Sequence, residues 1–295
     1  MKPPPLYWIK VRSEREDIDL KCWGWSDTSL DEARENGQKR CKQALARWDE
    51  NHSLDKYPYG VSRPLREKAL EQWNQDDGSL QAVVTINAYG CRVLNCANVM
   101  FVDVDFGEPM WARGVNPGCL LGWLFPRQDI RKDTEDNREA FNAEKEASAL
   151  ALLQALVTRV PGIGARAYHT KAGLRYLMTH APMDPLAENS SQIMEELDAD
   201  PYYIKLCRAQ KSFRARLTPK PWRCGLPKIP HRYPWDAQQE HEVENWIATY
   251  EATTRDFASC KLIGHYGNPE IHPEITRTMA FHDKVTRAES GIALA

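Results

Sequence analysis

The chain reads as an α+β protein with a central, mainly antiparallel sheet flanked by helices. Three observations carry this reading. Short β-branched runs follow one another between residues 82 and 106, with separations too short for crossover helices. An amphipathic stretch from about 138 to 160 stops at Pro161-Gly162 and leads into a second alternating pair, 165–180. The 295 residues are 42% hydrophobic, enough for one substantial core. The chain is therefore read as a single domain, 1–295, with an N-terminal decoration (1–75), a catalytic-like core (80–220) and a C-terminal helical extension (221–295).

In order, Tyr7-Trp8-Ile9-Lys10-Val11 predicts a strand, and Cys22-Trp23-Gly24-Trp25-Ser26 an aromatic segment covering a core edge. Ser29 and Glu32 have capping-box spacing, opening a helix to about Asp49. Proline, glycine and tyrosine mark a loop over 57–64. A short helix is expected over 65–73, with Arg63, Arg66, Glu67 and Lys68 giving it a charged face. Strands are expected at 82–86, 92–94 and 99–106, with the last as a central strand. A polar loop is expected over 125–136, then the long helix to Val160. The segment 165–180 predicts a hairpin, with Gly173 supplying a positive φ at its turn. Short helices are expected over 190–197 and from Pro201 to about Gln210, and a longer one from about Asp236 to Thr249. From Gly264 the tail is polar, expected to pack over the sheet through Tyr266 and Phe281.

A formal charge of −2, from 39 basic and 41 acidic residues, gives no global reason to expect a polyanion or an anionic membrane. Eight cysteines at irregular spacing look like thiols of a reducing compartment; Cys207, Cys224 and His231 are a weak zinc pattern. No long apolar run and no leader-like start predict a soluble, cytoplasmic protein with no membrane partner.

Phe101-Val102-Asp103-Val104-Asp105-Phe106 is the most informative segment. Successive strand side chains alternate between faces, so Asp103 and Asp105 point together. Two adjacent carboxylates in apolar surroundings call for a cation, and Mg²⁺ or Mn²⁺ accepts oxygen ligands while leaving positions for phosphate or water. Asp103 and Asp105 are the expected metal ligands and, with His169, the expected catalytic residues. Thr170, Lys171, Gly173 and Arg175 on the hairpin offer hydroxyl, ammonium, backbone N–H and guanidinium groups to a phosphate. Strand parity sets Tyr168 and Thr170 against His169 and Lys171.

A basic cluster runs from Lys205 through Arg208, Lys211, Arg214, Arg216 and Lys220 to Arg223, with no acid between residues 202 and 235. Arg208, Lys211, Arg214 and Arg216 join the expected phosphate ligands. Tyr202, Tyr203, Phe213 and Trp222 interleave with them, some for stacking and some for the core.

The hydrophobic-Asp-hydrophobic-Asp strand, a following helix and the strand pair carrying Tyr168-His169-Thr170-Lys171-Ala172-Gly173-Leu174-Arg175 resemble the catalytic core of the archaeo-eukaryotic primase and primase-polymerase superfamily. The resemblance spans about residues 83–216. It implies a primase-polymerase-like core, a divalent metal on Asp103 and Asp105, phosphate binding by a later histidine motif, and a third acid. Alanine and arginine stand where that histidine is expected, and His169 precedes the turn; Asp184, Asp198 and Asp200 are candidates for the third acid. The leading expectation is metal-dependent nucleotidyl or phosphoryl transfer on a nucleotide, DNA or RNA. The alternatives are a glycosyltransferase-like enzyme using a nucleotide-sugar, which predicts a parallel, doubly wound sheet, and a non-catalytic module binding nucleic acid or a partner protein.

Overall fold

The computed structural model describes residues 1–15, 17–51, 64–107 and 127–295. The protein is α+β, and all pairing between its described strands is antiparallel. The parallel sheet demanded by the glycosyltransferase-like reading is not found among the described residues.

Strands β1 (Tyr7–Arg15) and β2 (Ile18–Ser26) form a hairpin with Trp8 opposite Trp25. The aromatic segment is thus a strand, and its tryptophans gather on Trp8, with ring centroids 6.4 Å (Trp23) and 5.6 Å (Trp25) away. Helix α1 (Leu30–Asn51) lies against the hairpin. Its start is half of the expected capping box: the Glu32 N–H donates to Ser29 Oγ at 3.1 Å, while the Glu32 carboxylate accepts from Ser26 at 2.5 Å instead of turning back to Ser29. A Cβ on Gly24 would stand 1.9 Å from the Ala33 carbonyl, so the hairpin and helix meet backbone to backbone.

One four-stranded sheet has the order β3 (Lys68–Asn74), β4 (Leu80–Ile86), β5 (Arg92–Cys96), β9 (Phe213–Arg216). The helix expected over 65–73 is therefore wrong: most of that stretch is the edge strand β3. Register shifts between Ala69 and Glu71 and between Trp73 and Asn74 break its two-residue period, and only Trp73 is buried. Arg66 lies over the Trp23 ring at 4.3 Å; Arg63, the loop to its N-terminal side and Cys119 lie outside the described residues.

The second sheet has the order β10 (Lys261–Gly267), β7 (Gly164–Thr170), β8 (Gly173–Met178), β6 (Phe101–Asp105). The acidic strand β6 is terminal here, not central. Its outer edge is covered instead by α4 (Pro201–Gln210): the Phe101 carbonyl accepts from Tyr203 Oη at 2.9 Å and the Asp103 carbonyl from the Asp200 N–H at 3.2 Å. Gly173 does not have the expected positive φ. It is needed for close approach, because a Cβ there would lie 2.0 Å from the Val104 carbonyl of β6.

Helix α2 (Arg127–Arg159) begins inside the segment expected to be a polar loop. Its Ala149, Leu153 and Leu156 are buried beneath one face of this sheet. Helix α6 (Pro273–Thr286) covers the other face through His282, whose ring lies 5.2 Å from Phe101 and 4.9 Å from Tyr168. Helices α3 (Glu188–Glu196) and α5 (Ala237–Thr254) complete the described set, and α5 starts with a full Asp236–Gln239 capping box. The main core joins both four-stranded sheets to α2, α3, α4 and α6, and a small second cluster of Ile86, Ile229 and Val243 seats α5. The boundaries drawn from sequence shift accordingly: β3 belongs to a core sheet rather than to the N-terminal decoration, and the supposed helical extension supplies β10. Among the described residues no helix is long and apolar enough to cross a membrane.

Candidate functional site

Antiparallel register sets the site. Asp103 pairs with Arg175, which pairs with Tyr168; Asp105 pairs with Gly173, which pairs with Thr170. Directly opposed residues share a face, so Asp103, Asp105, Arg175, Tyr168 and Thr170 lie on the α6 side. Val104, Leu174 and His169 lie on the α2 side. His169 accordingly bonds Glu146 of α2 at 2.8 Å, and it is not brought to the aspartates.

Arg175 is buried, its side chain 2% exposed, and it grips Asp103 with both arms: Nε to Oδ1 at 2.7 Å and Nη2 to Oδ2 at 3.0 Å. Its Nη1 donates to the Arg216 carbonyl at 2.8 Å and lies beside Cys260 and His282. With its donors so used, Arg175 is a positioning residue for Asp103 rather than a phosphate ligand. The Asp103 side chain is still 33% exposed, so a carboxylate fixed from behind reaches solvent in front.

Asp105 is exposed at the strand end. Its carboxyl is pushed up by partial burial, then by Asp103 and by Asp200, against the pull of Lys220 and Arg216. Asp200 is also the N-cap of α4, its Oδ1 accepting from the Tyr202 N–H at 2.9 Å. Asp184 instead caps the turn before α3, accepting from the Leu186 N–H, and Asp198 occupies an exposed left-handed turn position.

Within electrostatic reach of Asp105 are Arg216 at the end of β9, and Lys220 and Arg223 at the short 3-10 turn Pro221–Cys224. Burial, Arg216 and Arg223 hold the Lys220 ammonium below its usual range; burial and Arg216 do the same for Arg223. Among the described residues none of the three is in an ion pair, and Arg223 Nη1 is buried without a hydrogen-bond partner. Partly buried, mutually repelling cations that make no direct ion pair among the described residues are a receptive place for an anion.

The remaining expected phosphate ligands are elsewhere engaged. Arg214 pairs with Glu67 at 2.9 Å and bonds Gln210, and Arg208 donates to Ser191 Oγ at 2.8 Å. Lys211 is the exposed left-handed C-cap of α4, Lys171 is exposed on the hairpin turn, and the Thr170 hydroxyl donates to the Gly173 carbonyl. Sequence reasoning placed Lys220 and Arg223 in the basic cluster of the acid-free stretch from 202 to 235 but did not single them out among the phosphate ligands. Of the interleaved aromatics, Tyr203 and Phe213 are core, whereas Tyr202 and Trp222 are exposed. For the zinc pattern, the buried Cys207 thiol is pushed up to about 12 by burial and His231 bonds Glu242 at 2.6 Å.

Among the described residues no group of three or more His, Cys, Asp or Glu side chains is arranged to hold a metal ion by itself. For a hard divalent cation the open donor at β6 is Asp105, which has no ion-pair partner among the described residues and whose charge is disfavoured by burial and then by the neighbouring carboxylates. Comparison with family models, with curated proteins and with solved structures gives no match for this chain.

Proposed function

We propose that the protein carries out divalent-metal-dependent nucleotidyl or phosphoryl transfer on a nucleotide or nucleic-acid substrate, as a diverged relative of the primase-polymerase superfamily. One observation carries this reading: under-neutralised Asp105, flanked by Asp103 and Asp200, faces the unpaired cations Arg216, Lys220 and Arg223. Carboxylates that want a cation beside cations that want an anion match a metal–phosphate substrate. Asp103 and Asp105 would hold Mg²⁺ or Mn²⁺, with Asp200 beside them. When bound, the metal supplies Lewis-acid stabilisation of the charge developing on phosphoryl oxygens.

The chain's own groups have separable tasks. Arg175 fixes the Asp103 carboxylate so that it needs no reorganisation on binding. Arg216, Lys220 and Arg223 bind and orient phosphate and offset its charge through the reaction. His169 is left out, since it faces α2.

The test is calorimetric titration with Mn²⁺ and nucleoside triphosphates, alongside incubation with labelled triphosphate and product analysis. Mn²⁺ binding that is lost in Asp105→Asn, with label transfer lost in parallel, is the expected result. Unaltered Mn²⁺ affinity in Asp105→Asn removes the mechanism.

A further inference from the structure

Next to the three cations lies an aromatic pair that the transfer reading does not use. Trp222 sits between Lys220 and Arg223 on the 3-10 turn, and Tyr89 lies in the turn linking β4 to β5. Their ring centroids are 5.4 Å apart at 82°. Both are exposed, Trp222 by 44% and Tyr89 by 43%, although rings of this size ordinarily gain by burial. Lys228 bridges the two, its Nζ 5.4 Å from the Tyr89 ring centre and 5.6 Å from that of Trp222, while Lys220 Nζ approaches Trp222 at 5.6 Å. The Ile229 N–H donates to the Tyr89 carbonyl, tying the lysine-bearing segment to the β4–β5 turn.

The segment is one-signed: Arg216, Lys220, Arg223, Lys228 and Arg232 occur with no acid between residues 202 and 235. A protein partner would need a face both acidic and shaped to two tilted rings. A polynucleotide meets both requirements by repetition, since every unit brings one anionic phosphate and one planar base.

We propose that Tyr89, Trp222 and Lys228 form a stacking platform for a single-stranded polynucleotide, continuous with the phosphate-binding cations Lys220 and Arg223. This rests on the phosphate reading of those cations, but on neither the carboxylates nor a metal. A strand laid along the platform would deliver a phosphate or a terminus toward Asp105. The single-stranded state is required, because the rings need a free base face that a stacked, paired duplex does not present.

Fluorescence anisotropy with a labelled oligothymidylate or oligouridylate of about 16 nucleotides, in EDTA, tests this apart from catalysis. Submillimolar or tighter binding by the wild type is expected, weakened about tenfold by Trp222→Ala and by Tyr89→Ala, each exposed enough to leave the melting curve unchanged. Lys228→Glu is expected to weaken binding and to flatten its dependence on salt. The two oligomers separate DNA from RNA as the source. The proposal is overturned by no oligomer binding, by unchanged affinity in folded Trp222→Ala and Tyr89→Ala, by equal affinity for duplex, or by a free nucleoside triphosphate binding as tightly with the same dependence on Trp222. Platform-dependent binding without metal-dependent transfer sustains the platform while refuting the transfer reading.

Discussion

The two acids of the β6 motif are expected to behave oppositely when removed, which makes Asp103→Ala against Asp105→Ala the most discriminating comparison. Asp103 is the partner of an arginine that is 2% exposed, and its removal strands a buried guanidinium with two donors unpaired. Breaking one side of a buried pair costs roughly 3–5 kcal/mol. Because the Asp103 side chain is 33% exposed, water can enter the vacated space and reduce the penalty, so the low end, about 3 kcal/mol, applies. For a chain of 295 residues that lowers the melting temperature by about 5 °C. Asp105 has a carboxyl pushed up in the fold, so at neutral pH the folded state bears a charge that its surroundings disfavour. Removing it changes stability by about 0.5 kcal/mol or less, with a stabilising sign. Urea titration and scanning calorimetry at pH 7 read both. Equal losses, or a larger loss at Asp105, would refute the assignment of Arg175 and Asp103 as a structural pair. The comparison also bears on function: lost activity in an Asp103 variant reports folding as well as chemistry, whereas Asp105→Asn reports chemistry.

Gly173→Ala is expected to destabilise by about 3 kcal/mol in urea titration, since its Cβ meets the Val104 carbonyl and forces β6 from β8. His169→Gln is expected to leave transfer activity unchanged and to shift stability by less than about 1 kcal/mol, because it loses only a half-exposed contact with Glu146 on the far face. His282 is buried among Arg175, Asp283, Cys260 and Tyr168, and burial holds its imidazole below its usual value of 6.5. The unfolded chain therefore takes the proton first, so stability is retained above about pH 6.5 and falls as pH drops below it. Urea midpoints at about pH 7.5 and pH 5.5 should differ, and His282→Gln should narrow the gap; an unchanged gap would reassign the effect.

What was legible in the sequence followed from periodicity and caps. The 82–86 strand, the hairpin and the helix from Pro201 were marked by alternation or by Asp200-Pro201, and the structure places β4, β7–β8 and α4 there. Parity also put Asp103 and Asp105 on one face and His169 away from Tyr168 and Thr170. The parts that could not be read depend on pairing across distance. β3 disguised itself through two register shifts and an exposed edge. Nothing local to Arg214 announces that Glu67, 147 positions away, neutralises it, and nothing local to Arg175 announces Asp103, 72 positions away. A list of basic residues cannot sort occupied cations from free ones; only contacts did so, removing Arg175, Arg208 and Arg214 and bringing forward Lys220 and Arg223.

That sorting fixes how the two ligands of the proposed reaction must depend on one another. With Arg175 cancelling Asp103, the remaining acids Asp105 and Asp200 face Arg216, Lys220 and Arg223. A divalent cation alone adds charge to a site already slightly positive; a triphosphate alone leaves it strongly negative beside the carboxylates of Asp105 and Asp200. Together they come near to balance, so each should tighten the other, by the roughly 5–150-fold typical of coupled sites. Nucleotide affinity is therefore expected to rise with Mn²⁺ in the wild type and to rise much less in Asp105→Asn. Chelation of Mn²⁺ by nucleotide in solution is common to both proteins and cancels in the comparison. If the variant shows the same Mn²⁺ enhancement as the wild type, Asp105 is not the link between metal and phosphate, and the acids and cations serve separate ends.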